Sequence, residues 1–229
     1  MAAGEGRRLR PLTERWAKPV LPIDGRPLVA TLLHDLAAAG ISRVTIVTGH
    51  LAEQVESLVG DGAAFGVDVS FARQPRPDGS ADAVSRALAA AAQAPALVSA
   101  ADTRYLPGAV AAFAAAFASS GAAGAIAARR GFVPTKAKPG LRVEEGRIVR
   151  VVDVDPALEL TSAPLWALGS DLVGYLDDLP GPPWGLADAY QRAIDDGAVI
   201  AAIEVGKTRD LTDPLDLVEE NFPYLDWTR

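Results

Sequence analysis

Residues 1–22 read Met-Ala-Ala-Gly-Glu-Gly-Arg-Arg-Leu-Arg-Pro-Leu-Thr-Glu-Arg-Trp-Ala-Lys-Pro-Val-Leu-Pro and join a glycine-bearing loop to a cluster of cations. The small residues of the loop are Ala2, Ala3, Gly4 and Gly6. Glycine lets a backbone turn tightly and approach a ligand closely, so that its N–H groups can point at phosphate oxygens. The cations that follow are Arg7, Arg8, Arg10, Arg15 and Lys18. Because such side chains neutralise phosphate charge, the stretch predicts an anion-binding loop.

The charge of the whole chain has the opposite sign to that of this cluster. The sequence carries 22 Lys and Arg against 29 Asp and Glu, a formal net charge of −7. A dense positive cluster in an acidic chain indicates a local anion site and not a general polyanion surface. The acidic balance also argues against nonspecific nucleic-acid binding, which depends on an excess of Lys and Arg.

Composition bounds the class of protein. The 229 residues are 49% hydrophobic, which is ample for a sizeable core and favours one compact domain. The chain has no cysteine and two histidines, so disulfides, thiolate metal sites and a His-rich zinc site are excluded. No apolar run approaches the ~20 residues of a membrane span, and no apolar leader is visible. We therefore expect a cytoplasmic protein with no membrane partner; its oligomeric state is left open.

The apolar pattern alternates between strand-like and helix-like segments, which favours an α/β architecture with a largely parallel sheet. Predicted helices cover residues 28–39, 51–59, 80–93, 107–119, 185–196 and 215–220. Predicted strands cover residues 44–48, 67–71, 96–100, 125–128, 141–143, 148–152, 165–168 and 199–205. The pattern becomes more β-like after residue 125. We expect a single domain over residues 1–229, with a nucleotide-binding half at 1–124 and an acceptor-binding half at 125–229.

The opening stretch resembles the start of the nucleotide-sugar pyrophosphorylases, the sugar-1-phosphate nucleotidyltransferase family. Their pattern is roughly Leu-Ala-Gly-Gly-x-Gly-Thr-Arg-Leu-x-Pro-Leu-Thr, followed by Pro-Lys-Pro and Leu-Pro, and its spacing is kept here without a gap. Two positions depart from it, Arg7 where the family has Thr and Ala17 in place of the first Pro. The phosphate-contacting Arg and Lys of the family fall on Arg8 and Lys18, the implied catalytic residues. The loop residues Ala2, Ala3, Gly4 and Gly6 are implied to bind the nucleotide.

The resemblance implies a fold as well as a site. It implies a three-layer α/β/α sandwich with a Rossmann-like, mainly parallel sheet. In the family, a short apolar strand precedes the glycine loop and lies at the centre of that sheet. Since this sequence starts at Met1, inside the loop, we expect its first strand to be truncated and the natural start to lie further upstream.

A second matching segment concerns the nucleotide base. Residues 74–83 read Gln-Pro-Arg-Pro-Asp-Gly-Ser-Ala-Asp-Ala, similar to the family's Gln-x-x-Pro-x-Gly-Thr-Ala-x-Ala. The resemblance implies that Gln74 and the backbone of Gly79 bind the base. An amide side chain offers both a donor and an acceptor to a base edge, which is consistent with that role.

Two aspartates are implied to bind Mg²⁺. Asp102 follows the predicted strand at 96–100, at the end of the strand where open α/β sheets bind ligands. Residues 209–217, Arg-Asp-Leu-Thr-Asp-Pro-Leu-Asp-Leu, resemble the family's second metal-binding segment and indicate Asp210. Mg²⁺ prefers oxygen ligands, typically one or two carboxylates together with phosphates and water.

The acceptor side matches less well. Where sugar-1-phosphate enzymes of the family carry Glu-Lys-Pro, this chain has Asp153 and then Val154. Asp153 and Gly140 are therefore the weak candidates for acceptor contacts. A phosphate needs a cation, and the sequence does not select one among Arg130, Lys136, Lys138 and Arg150. Trp184, which follows two prolines, is interpreted as a packing residue or a wall of the acceptor pocket.

The predicted reaction is Mg²⁺-dependent transfer of NMP from an NTP to a sugar 1-phosphate, with release of pyrophosphate and formation of an NDP-sugar. Two alternatives stay open. The missing lysine favours a phosphorylated alcohol such as phosphocholine as the acceptor, and a nucleotide-sensing relative without turnover is the alternative from another class. A P-loop NTPase is disfavoured because no Gly-Lys-Ser/Thr follows the glycines.

Overall fold

The computed structural model describes residues 1–135, 138–177 and 179–222. The helices are α1 (Leu28–Ala38), α2 (Ala52–Val59), α3 (Ser80–Ala90), α4 (Ala109–Ser120), α5 (Leu186–Asp195) and α6 (Pro214–Asn221). The strands are β1 (Pro22–Ile23), β2 (Arg26–Pro27), β3 (Arg43–Thr48), β4 (Asp68–Arg73), β5 (Ala96–Ser99), β6 (Thr103–Arg104), β7 (Gly124–Arg129), β8 (Gly140–Glu144), β9 (Arg147–Asp153), β10 (Thr161–Leu168), β11 (Ile200–Glu204) and β12 (Arg209–Asp210). Within these ranges, no helix is both long and apolar enough to cross a bilayer.

Local sequence explains where the last helix begins. The Asp213 side chain accepts hydrogen bonds from the backbone N–H groups of Leu215 and Asp216. The Asp216 carboxylate in turn accepts from the N–H of Asp213 at 3.0 Å, which completes a capping box with Pro214 in the first turn. This arrangement satisfies backbone donors that the helix leaves unpaired and fixes the chain just after Asp210.

The sheet combines parallel and antiparallel pairs. β3 and β4 are parallel in a separate two-stranded sheet. The larger sheet has the strand order β5-β10-β7-β11-β9-β8, in which β7 and β11 are parallel and β10 runs antiparallel between β5 and β7. Since β5 and β7 are both antiparallel to β10, they run in the same direction. Their carboxyl ends therefore lie at the same edge, and that edge holds Asp102 and Arg129.

Two apolar cores lie on opposite faces of the strands. One contains the buried side chains of α1, α2 and α4, among them Leu33 and Phe113. The other contains those of α3 and α5, among them Val84 and Tyr190. Helices therefore cover both faces, and the predicted three-layer α/β fold class is confirmed. The single domain, and its division between residues 124 and 125, stay predictions.

Residues 1–3 lie between β3 and β5. The backbone N–H of Ala2 donates to Val47 O at 2.7 Å, and Ala2 pairs with Thr48 in the parallel sense. On the other side, the N–H of Ala101 donates to Met1 O at 2.9 Å. Beyond Met1, a cleft of about 670 Å³ separates the two strands. Its walls are mostly apolar and include Leu33, Val44, Ile46, Val84 and Leu97.

An apolar extension that enters this cleft is expected to stabilise the protein. Adding about five Val, Ile and Leu residues before Met1, an ordinary strand length, would place backbone groups between β3 and β5 and bury each side chain with a gain of about 1.5–3 kcal/mol. The entropy lost by ordering the segment offsets part of this gain. We expect Tm to rise by about 5–10 °C in differential scanning calorimetry, whereas an equally long Asp-Ser-Pro-Asn-Gly extension leaves it unchanged. Equal Tm values for the two variants would contradict the prediction.

Candidate active site

A cavity of about 290 Å³ lies at the glycine loop, at the carboxyl edge of the sheet. Its lining includes Ala2, Gly4, Gly6, Arg8, Lys18 and Asp102. The fold thus brings the predicted phosphate loop, both predicted catalytic cations and one predicted metal ligand to one cavity. Ala3, the remaining loop residue, is buried beside it.

The glycine loop is braced from two sides. Gly6 has a φ of 60°, and a β-carbon there would lie 2.9 Å from the Thr13 methyl group. The Thr13 hydroxyl donates to Gly6 O at 2.9 Å, and His50 Nε2 lies 2.7 Å from Thr13 O. Gly49 packs so closely on the loop that a β-carbon there would lie 2.8 Å from Ala3 O. These contacts hold the loop backbone in place before any anion binds.

Glu5 forms ion pairs with two arginines of the loop, Arg7 and Arg10. Its carboxylate accepts from Arg7 Nε at 2.8 Å and from Arg10 at 3.3 Å, and the hydrogen bond from Arg7 lowers the pKa of Glu5. Arg8 lines the cavity and has no ion-pair partner in the part of the chain that the structure describes. The geometry therefore leaves Arg8 available for a ligand anion.

Lys18 and Asp102 form an ion pair inside the cavity. Lys18 Nζ lies 2.5 Å from Asp102 Oδ2, and the two side chains are 15% and 31% exposed. The backbone before Lys18 is fixed by Gln54 of α2, whose amide accepts from the N–H of Ala17 at 2.8 Å and donates to Arg15 O at 2.7 Å. The ammonium group of Lys18 is thus placed beside the carboxylate of Asp102, which follows β5.

Asp210 forms an ion pair with a buried cation, Arg129, which was not among the predicted site residues. Arg129, 4% exposed at the end of β7, donates to Asp210 Oδ2 at 2.8 Å and also bonds the Thr208 hydroxyl. β12 pairs with β6 so that Asp210 lies opposite Thr103, the residue after Asp102. A charged residue ending the otherwise apolar, fully buried run Gly124–Arg129 is the signal that could have identified it.

The chemistry of the two aspartates is compatible with a magnesium ion, although Asp102 lines the cavity and Asp210 does not, and their role as metal ligands stays a prediction. Each has one carboxylate oxygen bonded to a cation, whereas Asp210 Oδ1 is buried and has no hydrogen-bond partner among the described residues. A buried carboxylate oxygen without a partner is the kind of atom that an ion or water satisfies. Within residues 1–135, 138–177 and 179–222, no group of three or more His, Cys, Asp or Glu side chains is placed to hold a metal ion. Mg²⁺ needs only one or two carboxylates when phosphate supplies further oxygens.

Gln74 and Gly79 lie together at the start of α3. Gln74 is 6% exposed and its Nε2 donates to Gly79 O at 2.9 Å. Gly79 has a φ of 111°, and a β-carbon there would collide with the carbonyl oxygen of Trp184. The Trp184 backbone also donates to Asp78 O at 2.7 Å and accepts from Ala81. Trp184 therefore braces the segment that contains Gly79, so close packing requires this glycine whatever it binds.

The Gly79→Ala substitution is expected to destabilise the protein and displace this segment. The methyl group would clash with the Trp184 backbone, and alanine is strained at a positive φ. We expect the free energy of unfolding to fall by about 2–4 kcal/mol in urea denaturation. Gly108→Ala, at another positive φ but with open space around it, is the matched control and should cost about 1 kcal/mol. Equal losses would show that the Trp184 contact is unimportant.

The structure does not bring the two weak acceptor candidates to this cavity. Asp153 accepts from the N–H of Asp155 and from the Arg142 guanidinium at 2.9 Å, and these hydrogen bonds lower its pKa. A β-carbon at Gly140 would lie 2.8 Å from Leu158, so packing explains this glycine. A role of either residue in acceptor binding stays a prediction.

The four candidate phosphate cations differ in their surroundings. Arg130 pairs with Glu159 at 2.5 Å and Glu204 at 2.9 Å, and Arg150 bonds the backbone of Val152. Lys138 lies over the Phe132 ring, 4.5 Å from its centroid, and Arg129 lies over the same ring at 4.6 Å. Lys136 lies outside the described residues. None of these contacts identifies the phosphate-binding cation.

Comparison with known proteins identifies the family of this chain. The sequence pattern of the family described as nucleotidyl transferase matches residues 1–140, more than half of the chain. The chain belongs to this family. The nucleotidyl transferase match includes the glycine loop, Lys18, Gln74, Gly79 and Asp102, and the predicted family is confirmed.

Two curated relatives each match about a third of this nucleotidyl transferase family member. Over 84 residues, 37% of this chain, it is 43% identical to a glucose-1-phosphate thymidylyltransferase of Streptomyces antibioticus. Over 75 residues, 33% of this chain, it is 40% identical to an N-acetylmuramate alpha-1-phosphate uridylyltransferase of Neisseria meningitidis. The matched segments span 24% and 32% of the lengths of these relatives.

A solved structure extends the likeness of fold over the whole chain. A Bacillus anthracis protein solved in complex with sucrose superposes with a TM-score of 0.85, covering 100% of this chain and 95% of that protein. The sequence identity is 18%, so the comparison concerns the fold alone. The strands and helices beyond residue 140 therefore belong to the same fold.

Proposed function

We propose that this nucleotidyl transferase family member transfers NMP from an NTP to a sugar 1-phosphate, releasing pyrophosphate and forming an NDP-sugar. The observation that carries the proposal is that one cavity contains the glycine loop, the Lys18–Asp102 pair and Arg8, which has no ion-pair partner among the described residues. The backbone of the glycine loop, the Arg8 guanidinium and the adjacent Lys18 and Asp102 side chains line this cavity, and such a set of groups suits a triphosphate. The site needs no covalent nucleophile, because this chemistry depends on positioning and charge stabilisation.

The reaction is an in-line displacement at the α-phosphorus. An oxygen of the acceptor phosphate forms a bond to the α-phosphorus while the bond to the oxygen that bridges the α- and β-phosphates breaks. The electron pair of that bond leaves with pyrophosphate. In this scheme the loop amides and Arg8 hold the β- and γ-phosphates. Lys18 stabilises the negative charge that develops around the α-phosphate, as preorganised donors do in other enzymes.

Asp102 and Asp210 would hold Mg²⁺ when it is bound. The ion supplies charge neutralisation between phosphate oxygens that would otherwise repel each other. The contribution of the chain is the placement of the two carboxylates: Lys18 fixes one oxygen of Asp102, and Arg129 fixes one oxygen of Asp210. Each aspartate then has its second oxygen available.

The names of the two curated relatives support a sugar 1-phosphate as acceptor, since one name contains glucose 1-phosphate and the other N-acetylmuramate α-1-phosphate. One observation favours a phosphorylated alcohol instead. Val154 occupies the position where the resemblance implies a phosphate-binding lysine, and its side chain is exposed. A phosphorylated alcohol such as phosphocholine is therefore the second candidate acceptor.

The test is pyrophosphate release from pooled NTPs, with Mg²⁺ present and acceptors supplied as two separate pools. Release that depends on the sugar 1-phosphate pool is the expected result, and division of that pool would identify the sugar. Release only with phosphorylated alcohols would support the second candidate. NTP binding without release in either pool, from folded protein, would contradict the transferase and support a nucleotide-sensing relative.

A further inference from the structure

In the side-chain amide of Gln74, the nitrogen makes two hydrogen bonds and the oxygen makes none with the described residues. Its Nε2 donates one hydrogen to Gly79 O at 2.9 Å and the other to Asp82 Oδ2 at 2.7 Å. No residue in the described ranges donates to Gln74 Oε1, although the side chain is 6% exposed. A buried amide whose two hydrogens are both used can offer a ligand only its oxygen.

The orientation of this amide follows from the chemistry of its neighbours. Both neighbouring atoms, a carbonyl oxygen and a carboxylate oxygen, are acceptors. If the amide were rotated by 180°, three oxygens would face one another and the N–H₂ group would face outward. The negative charge of Asp82 therefore selects the orientation in which the Gln74 oxygen points away from Asp82 and can accept a hydrogen bond from a ligand.

Asp82 is itself fixed in its charged state. Arg86, one helical turn further along α3, donates Nε–H to Asp82 Oδ2 at 2.7 Å. Burial opposes the ionisation of Asp82, but the hydrogen bonds from Arg86 and Gln74 outweigh it, and its pKa is lowered. The arginine, the aspartate and the glutamine form a chain of hydrogen bonds that ends at Gln74 Oε1.

The backbone of Gln74 lies next to the phosphate loop. Gly49 packs between the two segments, because a β-carbon there would lie 2.8 Å from Ala3 O and 2.9 Å from Gln74 O. The backbone N–H of Gln74 also donates to Thr48 O, on the strand that pairs with Ala2. A nucleoside attached to a triphosphate in the loop can therefore place its base against Gln74.

From these contacts we infer that Asp82 is a positioning residue that sets the hydrogen-bond polarity of the base site, so that Gln74 presents only an acceptor and the bound nucleotide must offer an N–H from its base. The inference rests on the proposed function, since it assumes that the triphosphate occupies the loop. It assigns to Asp82 and Arg86 a role in nucleotide selection although neither needs to touch the nucleotide.

The Asp82→Asn substitution tests this role. Arg86 would keep the oxygen of the introduced amide, so the N–H₂ group of that amide would face Gln74 and turn the Gln74 side chain around. A donor would then meet the donor of the base. Dissociation constants for ATP, GTP, CTP, UTP and dTTP, and for inorganic tripolyphosphate, are measured by calorimetry on wild type and variant. We expect the preferred nucleotide to bind about tenfold more weakly or worse, and the preference among bases to shrink.

Two comparisons separate this effect from general damage. Tripolyphosphate has no base, so its affinity for the Asp82→Asn variant should stay within about twofold of wild type. Asp78→Asn is the matched control in the same segment, because among the described residues the Asp78 carboxylate hydrogen-bonds only the exposed Arg76, at 3.3 Å. Arg86→Gln, which leaves the aspartate without its anchor, should reproduce the loss of base preference in part.

The possible failures are distinguishable. An Asp82→Asn variant that binds the five nucleotides with the same ratios as wild type overturns the inference and leaves the proposed function intact. Equal losses for the preferred nucleotide and tripolyphosphate also overturn it, because they indicate a merely structural role. Wild type that binds tripolyphosphate but prefers no nucleotide over it overturns the proposed function, and the inference with it.

Discussion

The Asp102→Asn variant is expected to lose about 10²–10³-fold in the rate of pyrophosphate release while keeping its fold. Asparagine has nearly the same shape and keeps an oxygen for Lys18, which lies 2.5 Å from the native carboxylate. What it removes is the negative charge that would bind Mg²⁺ and balance the lysine. The rate is measured at saturating NTP and acceptor, and the fold is checked by thermal melting.

A matched control shows that the loss comes from the position of the charge and not from net charge. Asp68→Asn, at the exposed start of β4, changes the net charge equally and should leave the rate unchanged. If Asp102→Asn retained half or more of the wild-type rate with a normal melting temperature, the assignment of Asp102 to the reacting centre would be wrong.

The second large effect concerns stability. Arg129→Met is expected to lower the free energy of unfolding by about 3–5 kcal/mol, because it leaves the Asp210 carboxylate buried without its cation. Arg129 is 4% exposed and the Asp210 side chain is 15% exposed, so water cannot replace the lost contact at low cost. Urea denaturation followed by circular dichroism measures the change.

The double variant distinguishes a lost charge pair from a packing defect. Adding Asp210→Asn to Arg129→Met removes the uncompensated charge, so the double variant should recover more than half of the stability that the single variant loses. Additive losses in the two single variants would instead show that the residues contribute independently. That result would contradict the account of Asp210 as a carboxylate held by Arg129.

Most regular elements could be predicted because their apolar period is strong. The helix predicted at 28–39 is α1 at Leu28–Ala38, and the strand predicted at 44–48 is β3 at Arg43–Thr48. The short pairs β1–β2 and β6–β12 were not predicted. Strands of two residues are too short to show a period, and their partners are distant in sequence for β6–β12. The antiparallel course of β10 depends on tertiary pairing, which periodicity does not reveal.

In the candidate site, too, residues in local motifs could be predicted, whereas contacts between distant segments could not. Arg8, Lys18 and Asp102 could be predicted because they lie in dense motifs, and the structure brings them to one cavity. Arg129 could be recognised from the sequence only as a charge at the end of an apolar run; its pairing with Asp210 could not be predicted, since it depends on the carboxyl ends of β7 and β12 meeting in space. The sequence shows that Glu5 lies near several arginines. Only the structure shows that it pairs with Arg7 and Arg10, and that Arg8 has no ion-pair partner among the described residues.

Separate labels on the α- and γ-phosphates of the NTP test directly whether the protein transfers NMP. Each NTP is supplied either as the α-³²P or as the γ-³²P form, with Mg²⁺ and the acceptor pools, and the products are separated by chromatography. Displacement at the α-phosphorus predicts that the α label joins the acceptor phosphate, whereas the γ label appears only in pyrophosphate. Transfer of the γ label to the acceptor, or its release as orthophosphate, would contradict it.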